Sequence, residues 1–379
     1  MLALRLARGS RPLVQLRRLL VAAASAGVGL LLLCTLMWAV GHPQGAVLRL
    51  VWCVIPAAAA VQLAVAVART DPGTTPRPGL SAIGLGPVRL TAYGAATTAV
   101  ASFAGSLVAL LLFWHLRGDG PRLPFAGAAR DLLAADRPLP VGAVVLLLAA
   151  VPVLASAAAA FALRPAARAR HAEGAGTRPA PVSLPWGVAL TAAGLAVETY
   201  AGRGGGAALP LPGHFDGSPA GVLVGWSLTA VGLALVGPGV SHVCGWLLQA
   251  ARPGAVRLLA GRALMTQAAR LGRPLGVLCA VVSGTFAAAA LHGPGDQRPY
   301  GALTGLGAGV VIGCAVATLL TAALEAVQAR QETSASLLAA GAPAAVLRTA
   351  AGVRVLVLAA AFAPLTWLVA ELAAAPLGR

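Results

Sequence analysis

Eleven acidic residues, six histidines and five cysteines are the side chains of this 379-residue sequence best equipped to do chemistry, and their spacing assembles no reaction centre. The sequence has no H-E-x-x-H to hold a zinc ion and no G-x-S-x-G in a strand-turn-helix setting. No carboxylate pair or Ser/His pairing recommends an intramembrane enzyme either. Cys34, Cys53, Cys244, Cys279 and Cys314 lie in or beside apolar runs without C-x-x-C spacing, so they read as small apolar fillers. His42, His115, His214 and His292 are too scattered for a metal site. Glu198, His242 and Glu371 fall near the ends of apolar runs, which leaves no ionisable group at an expected membrane midplane, where a proton-coupled carrier needs one. All 28 basic residues are arginine. Without lysine the chain can build neither a P-loop nor a Schiff base, so it reads as a non-enzyme with no catalytic, cofactor-binding or metal-binding residues.

The elements that carry these residues are apolar. Hydrophobic residues make up 58% of the chain, charged residues 10%, and the mean hydropathy is +0.83. Runs near twenty residues recur, so the fold class expected is an all-α polytopic membrane protein with about nine transmembrane helices, within a range of eight to ten, in two pseudo-repeated units. A net charge of +17 raises the question of nucleic acid, but the arginines sit between apolar runs and aromatics are only 4%. Basic loops beside spans are topology signals, and no nucleic-acid partner is expected.

In chain order, residues 1–18 form a basic, amphipathic lead-in. Residues 19–163 hold a first unit of four spans, at 19–40, 50–68, 90–114 and 141–163. A connector rich in Arg and Pro follows at 164–183, then two linking spans within 184–248 and a basic segment at 249–274. A second unit of three spans occupies 275–379, with spans at 275–291, 302–324 and 355–372. On alternate sides of this arrangement the arginines divide 20 to 8, which puts the N-terminus on the cytoplasmic side.

Two short patterns repeat in order. Leu80-Ser81-Ala82-Ile83-Gly84 returns as Leu337-Leu338-Ala339-Ala340-Gly341, and Arg8-x-x-Arg11-Pro12-Leu13 returns as Arg270-x-x-Arg273-Pro274-Leu275, at offsets of 257 and 262 residues. Nearly equal offsets indicate a duplicated unit. Both Leu-x-Ala-x-Gly copies fall in cytoplasmic connections, where an apolar leucine can anchor a short helix and glycine can end it. Gly301, Gly305, Gly309 and Gly313 recur every four residues along the eighth span, a face suited to close packing against another span or a second copy.

With these features the sequence resembles the FtsX-like, MacB-type permeases of ATP-binding cassette transporters. In that family a charged segment leads into a Leu-Arg-Ala-Leu-Gly type stretch that contacts the ATPase. Here Arg330 and Glu332 precede Leu337, Ala339 and Gly341, and Arg348 follows; the first copy offers Leu80, Ala82, Gly84 and Arg89, with Pro72, Pro76 and Pro78 in place of the charged helix. The links at 41–49 and 292–301 hold none of the family's large extracellular domain, and the second unit lacks a fourth span. The resemblance implies a multi-pass protein of the bacterial cytoplasmic membrane, partnered by a dimeric cytoplasmic ATPase, by membrane lipid and by a possible second permease copy. It also implies substrates such as lipids, lipoproteins, amphipathic peptides or antibiotics. A non-transporting membrane regulator that relays an ATPase's state to the cell envelope is the alternative.

Overall fold

Backbone polar groups have no water to bond in a bilayer, so long Ala, Leu and Val runs satisfy them within helices. The computed structural model describes residues 12–41, 50–71, 87–118, 138–164, 183–203, 220–250, 254–290, 302–328, 331–339, 341 and 343–374. These form ten helices: α1 (Pro12–Gly41), α2 (Val54–Thr70), α3 (Pro87–Arg117), α4 (Val141–Leu163), α5 (Ser183–Arg203), α6 (Ala220–Ala250), α7 (Ala255–Ala290), α8 (Ala302–Gln328), α9 (Gln331–Ala339) and α10 (Ala344–Ala374). Seven of them, α1, α2, α3, α4, α6, α8 and α10, are long and apolar enough to cross a membrane. α5 and α7 were also expected as spans. They are fully helical, but Glu198 and Arg203 in α5 and four arginines between positions 257 and 273 of α7 dilute their apolar character.

The chain divides into two compact units. The first contains α1 to α4 with α8 as far as Thr321. α1 is its centre, because residues 31–37 are all buried and no face of that turn meets solvent or lipid. Val28, Leu31 and Leu32 meet Leu63 and Ala64 of α2 and Cys314 and Ala317 of α8 in one cluster. Leu33, Leu36 and Met37 meet Ala109 and Phe113 of α3 and Val144 and Leu148 of α4 in another. Pro152 has no N–H for the Leu148 carbonyl one turn back. Ser106 of α3 fills the gap, its buried hydroxyl donating to Leu148 O at 3.2 Å.

The second unit contains α5, α6, α7, α9, α10 and α8 from Ala322. Its first three helices are joined through glycine. On α6, Gly225, Gly232 and Gly239 recur every seven residues and face Glu198, Thr191 and Leu184 of α5. The same α5 face carries Gly187 against Val236 and Gly194 against Thr229, so α5 and α6 run antiparallel with backbones in near contact. On another side of α6, Gly237 meets Gly272, Leu233 meets Gly276 and Gly245 meets Gly261 of α7, where a Cβ on Gly261 lies 2.6 Å from the Gly245 carbonyl oxygen. α7 packs in turn on α10, where the Thr366 hydroxyl donates to Cys279 Sγ at 2.9 Å.

Three sequence-based boundaries shift. The lead-in is helical from Pro12 and continuous with the first span. The segment at 249–274 is mostly the first half of α7, which passes through Pro274 without a break. Likewise α10 runs through Pro364, so Arg348 and Arg354 lie in the same helix as the ninth span. Apolar runs measure the membrane core, and these helices extend beyond it.

Candidate functional site

The Leu337 to Pro343 stretch becomes a helix, a turn and a new helix. α9 spans nine residues and includes Glu332, Leu337 and Ala339. Gly341 follows at φ 88°, a left-handed conformation that costs glycine little, and its N–H bonds the Leu338 carbonyl at 3.0 Å. The Pro343 carbonyl then accepts from Val346 at 3.0 Å as α10 starts. Leu338, 47% exposed, stands out from α9, and Ala339, Gly341 and Arg348 are exposed with it. They belong to the second unit, and the side chains of Glu332 and Leu337 lie outside the described residues. Arg89, exposed near the start of α3, belongs to the first unit. Leu80, Ala82, Gly84, Arg330 and Gly301 lie outside the described residues.

Two ion pairs tie helices together near these segments. Arg18 at the beginning of α1 meets Asp71 just past α2 at 3.1 Å, while Arg17 donates to the Thr70 carbonyl at 3.2 Å. Arg270 of α7 meets Glu325 near the end of α8 at 3.5 Å.

The glycine face of α8 stands differently from expectation. Gly305, Gly309 and Gly313 are exposed, and a Cβ on any of them would meet open space. α8 instead turns Leu306, Val310, Cys314 and Ala317 toward α1 and α2. Close glycine packing lies instead on α5, α6 and α7 and, in the first unit, at Gly27, Gly29 and Gly105 of α1 and α3.

Sequence spacing did not bring forward Glu198. It sits sixteenth of 21 residues in α5 and is wholly buried, at 0% exposure. Its Oε1 accepts the indole N–H of Trp226 on α6, while Oε2 is buried with no hydrogen-bond partner among the described residues. Thr229 Oγ1, one turn from Trp226, is also buried and has no hydrogen-bond partner among the described residues. The legible signal was the register Gly187, Thr191, Gly194, Glu198, which continues a small-residue face into a carboxyl. Glu371 offers a contrast, since it also accepts from an indole, Trp367 at 2.9 Å, but on the exposed surface of α10.

All five cysteines are buried, and among the described residues no three His, Cys, Asp or Glu side chains gather as a metal site. Between α3 and α4 an open apolar groove of about 330 Å³ is lined by Ala99, Val100, Phe103, Pro152, Val153 and Ser156.

Fold and sites together define an all-α, multi-pass membrane protein. Comparison with protein-family models, curated proteins and solved structures finds no match to this chain.

Proposed function

We propose that the chain is the membrane-spanning permease subunit of an ATP-binding cassette transporter in a bacterial cytoplasmic membrane. In this reading it has nine spans with a cytoplasmic N-terminus, and a separate dimeric ATPase drives it. The observation that carries the reading is α9, a nine-residue helix with Leu338 and Ala339 exposed, closed by Gly341 and followed from Ala344 by the 31-residue α10. A motor on another subunit can move a span only through a stiff contact. A short helix with an exposed leucine and a glycine-sharpened end provides an apolar plug whose displacement is passed directly to a long helix.

Each unit carries an arginine-to-carboxylate tie from one long helix to the end of another, Arg18 to Asp71 and Arg270 to Glu325. The groove beside Phe103 and Pro152 supports cargo that travels along the bilayer, such as a lipid, lipoprotein, amphipathic peptide or antibiotic. The test is co-purification of the full chain with a cytoplasmic cassette ATPase and measurement of ATP turnover. The double variant Leu337→Glu, Gly341→Glu is expected to abolish co-purification and any stimulation of turnover while the protein still inserts. An ATPase complex that survives the double variant overturns the role given to α9.

A further inference from the structure

We propose that Glu198 is a proton-binding site, with the proton carried on Oε2 in the enclosure between α5 and α6. The inference is independent of the transport reading and rests on the surroundings of one carboxyl.

Glu198 is wholly buried, and Gly225 opposite it leaves so little room that a Cβ there would lie 2.9 Å from Glu198 Cβ. One carboxyl oxygen accepts a single neutral N–H, from Trp226, and the other has no partner among the described residues. Among the described residues no basic side chain pairs with Glu198. On α5 itself, Tyr200 is 83% exposed, and the side chain of Arg203 lies outside the described residues. On α6 the titratable residues are His242 and Cys244, of which His242 lies 16 residues beyond Trp226, about 24 Å along the axis. α10, which also packs on α5, carries Arg348, exposed, Arg354, bonded to the Ala350 carbonyl on its own helix, and Glu371, bonded to Trp367. A bare carboxylate in this setting would hold a full charge against one indole dipole. A proton removes the charge and leaves the Trp226 bond in place. Glu371 is the contrast: it has the same kind of partner, but it stands on the exposed surface of its helix.

A buried, protonated carboxyl reacts with N,N′-dicyclohexylcarbodiimide. The carboxyl proton moves to a carbodiimide nitrogen, the carboxylate oxygen bonds to the central carbon, and acyl migration to nitrogen yields a stable N-acylurea. The carbodiimide adds whole, with no leaving group and no redox change. The full-length protein in lipid nanodiscs is treated with this reagent across a pH series and mapped by peptide mass spectrometry. The expected result is one adduct on Glu198, absent in Glu198→Gln, whose formation falls about tenfold per pH unit once the solution is alkaline to the titration midpoint. Infrared spectra of the same samples are expected to show a protonated-carboxyl carbonyl band at neutral pH that Glu198→Gln abolishes and Trp226→Phe shifts. If enclosure keeps the reagent out, that band decides. Its absence, or its survival in Glu198→Gln, overturns the proposal, as does labelling of Glu198 that does not change with pH.

Discussion

Arg18 and Asp71 close a 3.1 Å ion pair between the beginning of α1 and the end of α2, and Arg270 and Glu325 repeat it between α7 and the end of α8. Arg270 follows Arg18 by 252 residues and Glu325 follows Asp71 by 254, whereas the sequence repeat pairs Arg270 with Arg8 at an offset of 262, so the two ties are not equivalent positions of that repeat. Each pair fastens one long helix to the end of a later one. The fastening residues differ in type, Asp in one and Glu in the other, so it is the connection that recurs rather than the motif.

The first pair is the more enclosed, with side-chain exposures of 33% and 11% against 56% and 32%. A double-mutant cycle of Arg18→Gln and Asp71→Asn, read by thermal unfolding in detergent, is expected to give a coupling of about 1 kcal/mol. The cycle of Arg270→Gln and Glu325→Gln is expected to give under about 0.5 kcal/mol and to vanish in high salt.

Ser106 and Pro152 form a testable compensation across α3 and α4. Ser106→Ala leaves the Leu148 carbonyl without its donor and is expected to cost about 1 kcal/mol. Adding Pro152→Ala restores a backbone N–H for that carbonyl, so unfolding of the double variant should return toward the parent. A double variant no more stable than Ser106→Ala would show that the hydroxyl does not replace the missing donor.

Glycines on α6 and α8 should separate sharply. Gly245→Val forces a side chain against the Gly261 carbonyl and Met265, and is expected to destabilise the second unit by about 2 kcal/mol. Gly309→Ala meets open space and, apart from a small gain in helix propensity, should change stability by under about 1 kcal/mol. Thermal stability of the two purified variants checks the contrast.

Gly341→Ala tests the turn after α9 by backbone alone, because nothing lies within 4 Å of the added methyl. At φ 88° the substitution is expected to cost about 1 kcal/mol, and Gly341→Asn less. Hydrogen exchange should speed up in the amides of α9 while those of α6 stay unchanged.

Much of the helical layout is legible from apolar runs, and the end of α9 is legible from Gly341, since both depend on local chemistry. The packing is less so. Gly305, Gly309 and Gly313 stand at the spacing of a packing stripe, yet whether a stripe is used depends on which neighbour arrives, and α8 turns its larger residues inward. Gly225, Gly232 and Gly239 stand seven apart and are used in full. Glu198 was placed near a span end by its position in an apolar run; its burial comes from Gly225 and Trp226 on another helix, 27 and 28 positions further along the chain. The joining of α8 up to Thr321 with α1 to α4 likewise reflects contacts between distant segments, which no window along the sequence reports.

The seven-residue recurrence on α6 has a mechanical meaning. Shifting α5 along α6 by seven residues, about 10.5 Å, would seat Glu198 on Gly232 and Thr191 on Gly239, again side chain on glycine. The same shift would carry Leu184 from Gly239 onto Trp246, so the fit is lost at that end. The bond from Trp226 to Glu198 belongs to the observed register alone and holds the two helices in it.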